Sequence, residues 1–190
     1  MAGVRGAVVV LILLLLAGCT TISGQPEPAP PSPSAPVRPR EVRIDGVDPC
    51  TLLTEQQRAE LGLDAEPRLD VGPLPPYPGS DIPLCVFGGF RPRAVSLTVA
   101  TVTTTGIDLF RSGNLLAEVR PIEVGSFPAL VAIATRNTDF CTIVVDVAPG
   151  QVLDISFGLD GPQAAASLDS LCQDAERAAL AVTDTLLRIR

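Results

Sequence analysis

The 190-residue chain has no histidine, no lysine and no tryptophan, and a single tyrosine. Without histidine it lacks the usual general base near neutral pH and the commonest metal ligand. Without lysine as well, a serine nucleophile has only carboxylates to activate it, and no Gly-x-Ser-x-Gly elbow occurs. No two cysteines stand at the Cys-x-x-Cys spacing of a zinc site. The acidic turns Asp45-Gly46-Val47-Asp48 and Asp160-Gly161 lack the ligand ladder of a calcium loop, and Gly88-Gly89 has no basic residue to complete a phosphate-binding loop. Paired carboxylates serve glycosidases, and Asp45 with Asp48, or Asp154 with Asp160, are the nearest candidates; acids beside turns read more simply as caps and solvated loops. All 14 basic residues are arginine, scattered among 21 acids, so the chain offers no basic cluster to nucleic acid. No catalytic set, cofactor or metal is expected, and the chain reads as a non-enzyme.

A second shortage is of long apolar runs. The longest, Ala7 to Ala17, has eleven residues, where a spanning helix needs about 20. Preceded by Arg5, it has the form of a signal peptide, and it closes on Leu16-Ala17-Gly18-Cys19. These four residues resemble the bacterial lipobox. The resemblance implies removal of residues 1–18 and a diacylglyceryl group on the Cys19 thiol. Two acyl chains, at roughly 0.8 kcal/mol per buried methylene, make a stable anchor. The expected location is therefore the extracytoplasmic face of the cell membrane. Loss of the leader removes one arginine (Arg5) and no acid, leaving 13 basic against 21 acidic residues and a net charge of −8.

What the chain does have is proline. Residues 20–40 hold seven, with Ser, Ala and Gln between them, so residues 19–43 are expected to be a lipidated, disordered tether. Order is expected over residues 44–190, enough for one domain with its own core. Asp48-Pro49 marks a helix start, Thr54 with Gln57 forms a capping box, and Gly62 ends the helix. Residues 67–83 carry six more prolines and read as a long loop. Tyr77 in that loop is the candidate partner-facing residue; the plainer reading is a rigid excursion clamped at Cys85.

From Ala94 the apolar period is two, through Val95, Leu97 and Val99. Ile107 to Val119 read as a short helix weakened by Gly113. Pro121 to Val124 and Ala129 to Ala134 are strands, and Phe140 to Val147 with Val152 to Phe157 form a hairpin about Pro149-Gly150. The last element is a helix whose apolar stripe is Leu168, Leu171, Cys172, Ala175, Ala179, Val182, Leu186 and Ile189. The fold class is α+β: an antiparallel sheet of about five strands packed by the C-terminal helix, with a short N-terminal helix.

Cys50, Cys85, Cys141 and Cys172 are an even set in a chain that reads as exported, and so two disulfides are expected. Four cysteines allow three pairings. Cys141 shares a strand face with Ile143 and Val145, and Cys172 lies on the final helix's stripe, so these two meet if that helix covers the sheet. Cys50 then pairs with Cys85.

The phrase Asp48-Pro49-Cys50-Thr51-Leu52-Leu53 resembles the Asp-Pro-Cys-x-Leu-Leu opening of a family of actinobacterial secreted lipoproteins, domain of unknown function 3558. The lipobox, the proline tract, Cys85-Val86-Phe87, Val124-Gly125-Ser126-Phe127-Pro128-Ala129, Cys141 and Cys172 extend the likeness over most of the chain. Where members often carry Trp after the second cysteine, this chain has Phe87. The resemblance implies an address and a fold and brings no activity with it. The expected function is a non-catalytic envelope module that binds a protein or the cell wall. The alternative is a carrier of a lipid or small apolar ligand, held between sheet and helix.

Overall fold

The centre of the fold is the hairpin expected about Pro149-Gly150. In the computed structural model, which describes residues 37–79, 81–161 and 166–190, Phe140–Ala148 and Gln151–Leu159 pair antiparallel. Gly150 turns the chain at φ 71°, an angle glycine takes without steric cost. These strands are β6 and β7 of a seven-stranded sheet. The others are β1 (Arg68–Gly72), β2 (Ile82–Gly89), β3 (Val95–Val102), β4 (Ala117–Val124) and β5 (Phe127–Ala134). Every pairing is antiparallel, in the order β1-β2-β3-β7-β6-β5-β4.

The sheet thus has seven strands, where about five were expected. One addition, β1, lies inside the stretch read as a loop; it is a short edge strand with mostly exposed residues, so no alternation marks it. The other correction concerns residues 107–119. Their helix is a single turn, α2 (Asp108–Arg111), without a side-chain cap, and Gly113 reverses the chain at φ 72°. Ala117-Glu118-Val119-Arg120 then alternate as an edge strand and pair with Ala134 to Val131 of β5. Pro121 is tolerated there because an edge strand leaves half its N–H groups outside the ladder.

One face of the sheet is covered by α3 (Leu168–Ile189), capped by the Ser167 hydroxyl on the Ser170 N–H. Leu171, Ala175, Ala179, Val182 and Leu186 bury against Ile143, Val145, Leu153, Ile155 and Phe157. Ile189, expected on the stripe, is exposed at the helix end. Asp174, which is not on that stripe, is buried and ion-paired with Arg93 and Arg177. A 3-10 turn (Pro49–Leu52) and α1 (Glu55–Glu60) precede the sheet. Asp48 accepts the Cys50 N–H at 2.9 Å, and the Thr54–Gln57 capping box is complete, so each start signal has its hydrogen bond. Gly62 follows at φ 73°.

The structure joins Cys50 to Cys85 and Cys141 to Cys172, each with Cα atoms 5.0 Å apart. The first ties the 3-10 turn to β2, and the second ties α3 to β6, the pairs chosen above by helix-on-sheet packing. The domain also starts before residue 44. Arg38 makes a two-pronged ion pair with Asp146 at 2.7 Å, Val42 is in the core, and its N–H reaches the Val147 carbonyl at 2.8 Å. The end of the expected tether is therefore part of the domain. A single Val between charged neighbours carries no periodicity, so this contact could not be read beforehand. The remainder of that tract, and Leu16, Ala17, Gly18 and Cys19, lie outside the described residues.

The other face of the sheet is covered too. Ala100, Val102, Leu130, Ala132, Val144 and Val152 point away from α3 and bury under Tyr77, Ile107 and Phe110. The cover is the proline loop between β1 and β2 together with the α2 segment.

Candidate functional site

Strand β7 alternates strictly between the two layers. Leu153, Ile155 and Phe157 face α3, while Val152, Asp154 and Ser156 face the loops. Asp154 is therefore a carboxyl in a central strand, only 5% exposed. A buried charge of this kind must be hydrogen-bonded or neutralised. Two hydroxyls serve it: Tyr77 Oη donates to Oδ2 at 2.7 Å, and Ser156 Oγ donates to Oδ1 at 3.3 Å. Thr142 on the neighbouring strand lies 2.7 Å from Ser156 Oγ. Ser156 has one proton and gives it to Asp154, so Thr142 donates to Ser156. The hydroxyl chain is aligned toward the carboxylate.

Burial pushes the Asp154 carboxyl up from 3.8 to about 6, against the lowering effect of the Tyr77 and Ser156 hydrogen bonds. Burial, with Asp154's charge beside it, also raises Tyr77 well above its ordinary value, which keeps the phenol a donor. No arginine among the described residues pairs with Asp154.

Asp154, Ser156 and Thr142 line a cavity of about 430 Å³, with Tyr77 behind them. Its walls are Leu74, Pro75 and Pro76 from the proline loop, Phe110, Leu115 and Leu116 beyond it, and Ala132, Ala134 and Phe140 from the sheet. Leu116, 74% exposed, stands at the rim. A cavity in the low hundreds of Å³, apolar with a few convergent polar groups, is the usual form of a small-molecule site. Tyr77, the expected partner-facing residue, is 5% exposed and points inward, its ring packed on Phe110 at 5.7 Å between centroids. It presents nothing to a partner outside the loop.

The chemistry open to the site is limited. A carboxyl near 6 is suited to proton transfer, but glycoside hydrolysis needs a second carboxyl, and among the described residues Asp154 is the only acid lining the cavity. Asp160 lies past the end of β7, exposed and roughly 20 Å along the strand direction. Asp45 and Asp48 are engaged elsewhere. Asp45 is held below the usual carboxylate range first by the Gln151 amide and then by Arg43, and Asp48 caps the 3-10 turn. Among the described residues no three metal-ligating side chains cluster, and no helix is long and apolar enough to cross a membrane.

Cys50, Cys85, Cys141 and Cys172 come together as two structural pairs, and none of them lines this cavity; Cys141 sits between Phe140 and Thr142 on the opposite face of its strand. Asp154, Tyr77, Ser156 and Thr142 were not grouped by sequence reasoning. The available signal was an acid within Val152-Leu153-Asp154-Ile155, where a strand buried on both faces leaves no route to water. The model of the family described as "Protein of unknown function (DUF3558)" matches residues 14–185. The chain belongs to that family. No curated protein and no solved structure is significantly similar to it.

Proposed function

We propose that this DUF3558 protein is a lipid-anchored, extracytoplasmic lipoprotein of an actinobacterial envelope, and that its domain binds a small, largely apolar ligand without catalysing a reaction on it. The cavity under the proline loop carries this reading. It is open at one rim, lined by hydrocarbon, and has a polar floor able to orient a ligand. The carrier expectation is thus moved from the helix face to the loop face, since side chains and a disulfide fill the space beneath α3. The address rests on Leu16-Ala17-Gly18-Cys19 and the short apolar run before it, and two disulfides suit an oxidising compartment.

A second reading, binding of an envelope protein or cell-wall component, is favoured by one feature. Edge strand β1 exposes Leu69 and Val71, at 53% and 55%, beside a free row of backbone groups. Native mass spectrometry of the full-length protein extracted from its own membranes separates the two. The ligand-binding reading expects an added mass that disappears in Ala134→Trp, which fills the cavity from the sheet side. A clean apo mass, with envelope proteins recovered by crosslinking through β1, would overturn it. The anchor is tested separately: Cys19→Ala should move the protein out of the membrane fraction, and an unchanged distribution would sink the lipobox assignment.

A further inference from the structure

We propose that the loop-face cavity takes a small organic cation, an alkyl or aryl amine whose ammonium group meets the Asp154 carboxylate while its hydrocarbon part lies between Phe110, Leu115 and the proline loop. The proposal rests on the ligand-binding reading above and adds the ligand's charge. Asp154 accepts one hydrogen bond on each oxygen, from Tyr77 and Ser156. A carboxylate has about four acceptor sites, so roughly two remain for a ligand. Two hydroxyls donate to that carboxylate, and Thr142 lies behind Ser156, which is the arrangement of a site built around the anion. No basic side chain of the described residues lines the cavity, so the counter-charge must come from outside the fold.

A neutral apolar ligand would leave the buried charge uncompensated. An anion would be repelled by it. Burial raises the carboxyl to about 6, and an ammonium beside it would draw the value back down. The walls suit the same ligand. Phe110 can present a ring face to a cation, and the proline and leucine side chains bury its hydrocarbon. The chain's acidic balance, 21 acids against 14 arginines, favours the approach of cations over anions.

The test uses full-length protein in dodecylmaltoside micelles and three probes of one shape: 4-phenylbutylamine, 4-phenylbutanol and 4-phenylbutyrate. Binding is measured by equilibrium dialysis against protein-free micelles at pH 7.5. The amine should bind saturably, one per chain. The alcohol should bind at least about tenfold more weakly, as expected when the ligand's positive charge is lost from its hydrogen bond to the carboxylate, and the carboxylate more weakly still. Asp154→Asn should bring the amine down to the affinity that the alcohol shows for the wild-type protein. The probe series on the wild-type protein decides the matter even where the variant folds poorly. Equal binding of amine and alcohol would overturn the cation assignment and leave the ligand-binding reading standing. Saturable binding of none of the three would overturn both.

Discussion

Replacing Asp154 by asparagine isolates what the buried carboxylate costs the fold. The two side chains have the same shape; the amide oxygen can still accept from Tyr77, while the NH2 takes the place of the oxygen that accepts from Ser156. In the wild type the carboxyl is raised from 3.8 to about 6 on folding, with burial as the main cause. Between those values the folded state holds more protons than the unfolded state, so stability falls as pH rises through the window. The difference of about two units corresponds to roughly 3 kcal/mol at pH 7. Asparagine has no proton to lose and escapes this loss. Any mismatch between its amide and the hydrogen bonds of the protonated acid is the same at every pH. The informative quantity is therefore the stability of Asp154→Asn minus wild type, measured by urea unfolding at pH 4, 5.5 and 7 with disulfides intact. It should shift in the variant's favour by roughly 2.4 kcal/mol from pH 4 to pH 7, since part of the loss is already present at pH 4, equivalent to roughly 5–10 °C in Tm for a domain of this size. The groups facing the carboxyl, the Tyr77 and Ser156 hydroxyls with Thr142 behind, do not titrate in this range. The other carboxyls are common to both proteins and cancel. A difference constant to within about 1 kcal/mol across the range would refute the burial of an ionised Asp154.

Two further outcomes follow from the packing. Replacing Cys141 and Cys172 together by alanine opens a link spanning 31 residues, and the chain-entropy account expects a loss of about 3–4 kcal/mol in urea unfolding; a loss below about 1 kcal/mol would show that α3 holds the sheet without it. Gly89→Ala would set a methyl 2.1 Å from the Gly62 carbonyl oxygen, a backbone atom that cannot step aside. That variant should lose roughly 1–3 kcal/mol or more in the same assay, and an unchanged midpoint would mean that the β2 end and the Gly62 turn are not in contact.

The parts of this fold that could be read in advance are those in which one short stretch carries both the signal and the structure. The capping box at Thr54 and Gln57, the Pro149-Gly150 hairpin and the α3 stripe are of this kind. The disulfide pairing needed only one step more, that a stripe on a helix and a face on a strand must meet. Strand β1 and the first half of β4 were hidden for a different reason. Arg68–Gly72 is mostly exposed, so its sequence bears no imprint of a core, and it owes its strand form to pairing with β2. Residues 117–120 were absorbed into a helix because one apolar residue in two and one in three or four agree over so short a span.

The site was illegible because it joins residues 77 positions apart, Tyr77 and Asp154, that share no motif. A correct expectation would have begun with Ile143-Val144-Val145, three consecutive apolar residues in a strand. Such a run implies that both faces are covered. Once the sheet is covered twice, the odd positions of β7 belong to α3 and the even positions to a second layer, and Asp154 must find its partners under the loops. The two layers then differ in how they are filled. Leucines and phenylalanines close the α3 face, and the Cys141–Cys172 bond draws helix and strand together. On the loop face the sheet presents small side chains, Thr98, Ala132, Ala134, Thr142 and Ser156, beneath a cover that includes Pro75 and Pro76. Short side chains leave volume, and a proline-rich cover has few backbone conformations through which to collapse into it. A ligand site on this domain is therefore expected where small residues lie opposite rigid backbone, away from the disulfides that were its most visible feature in the sequence.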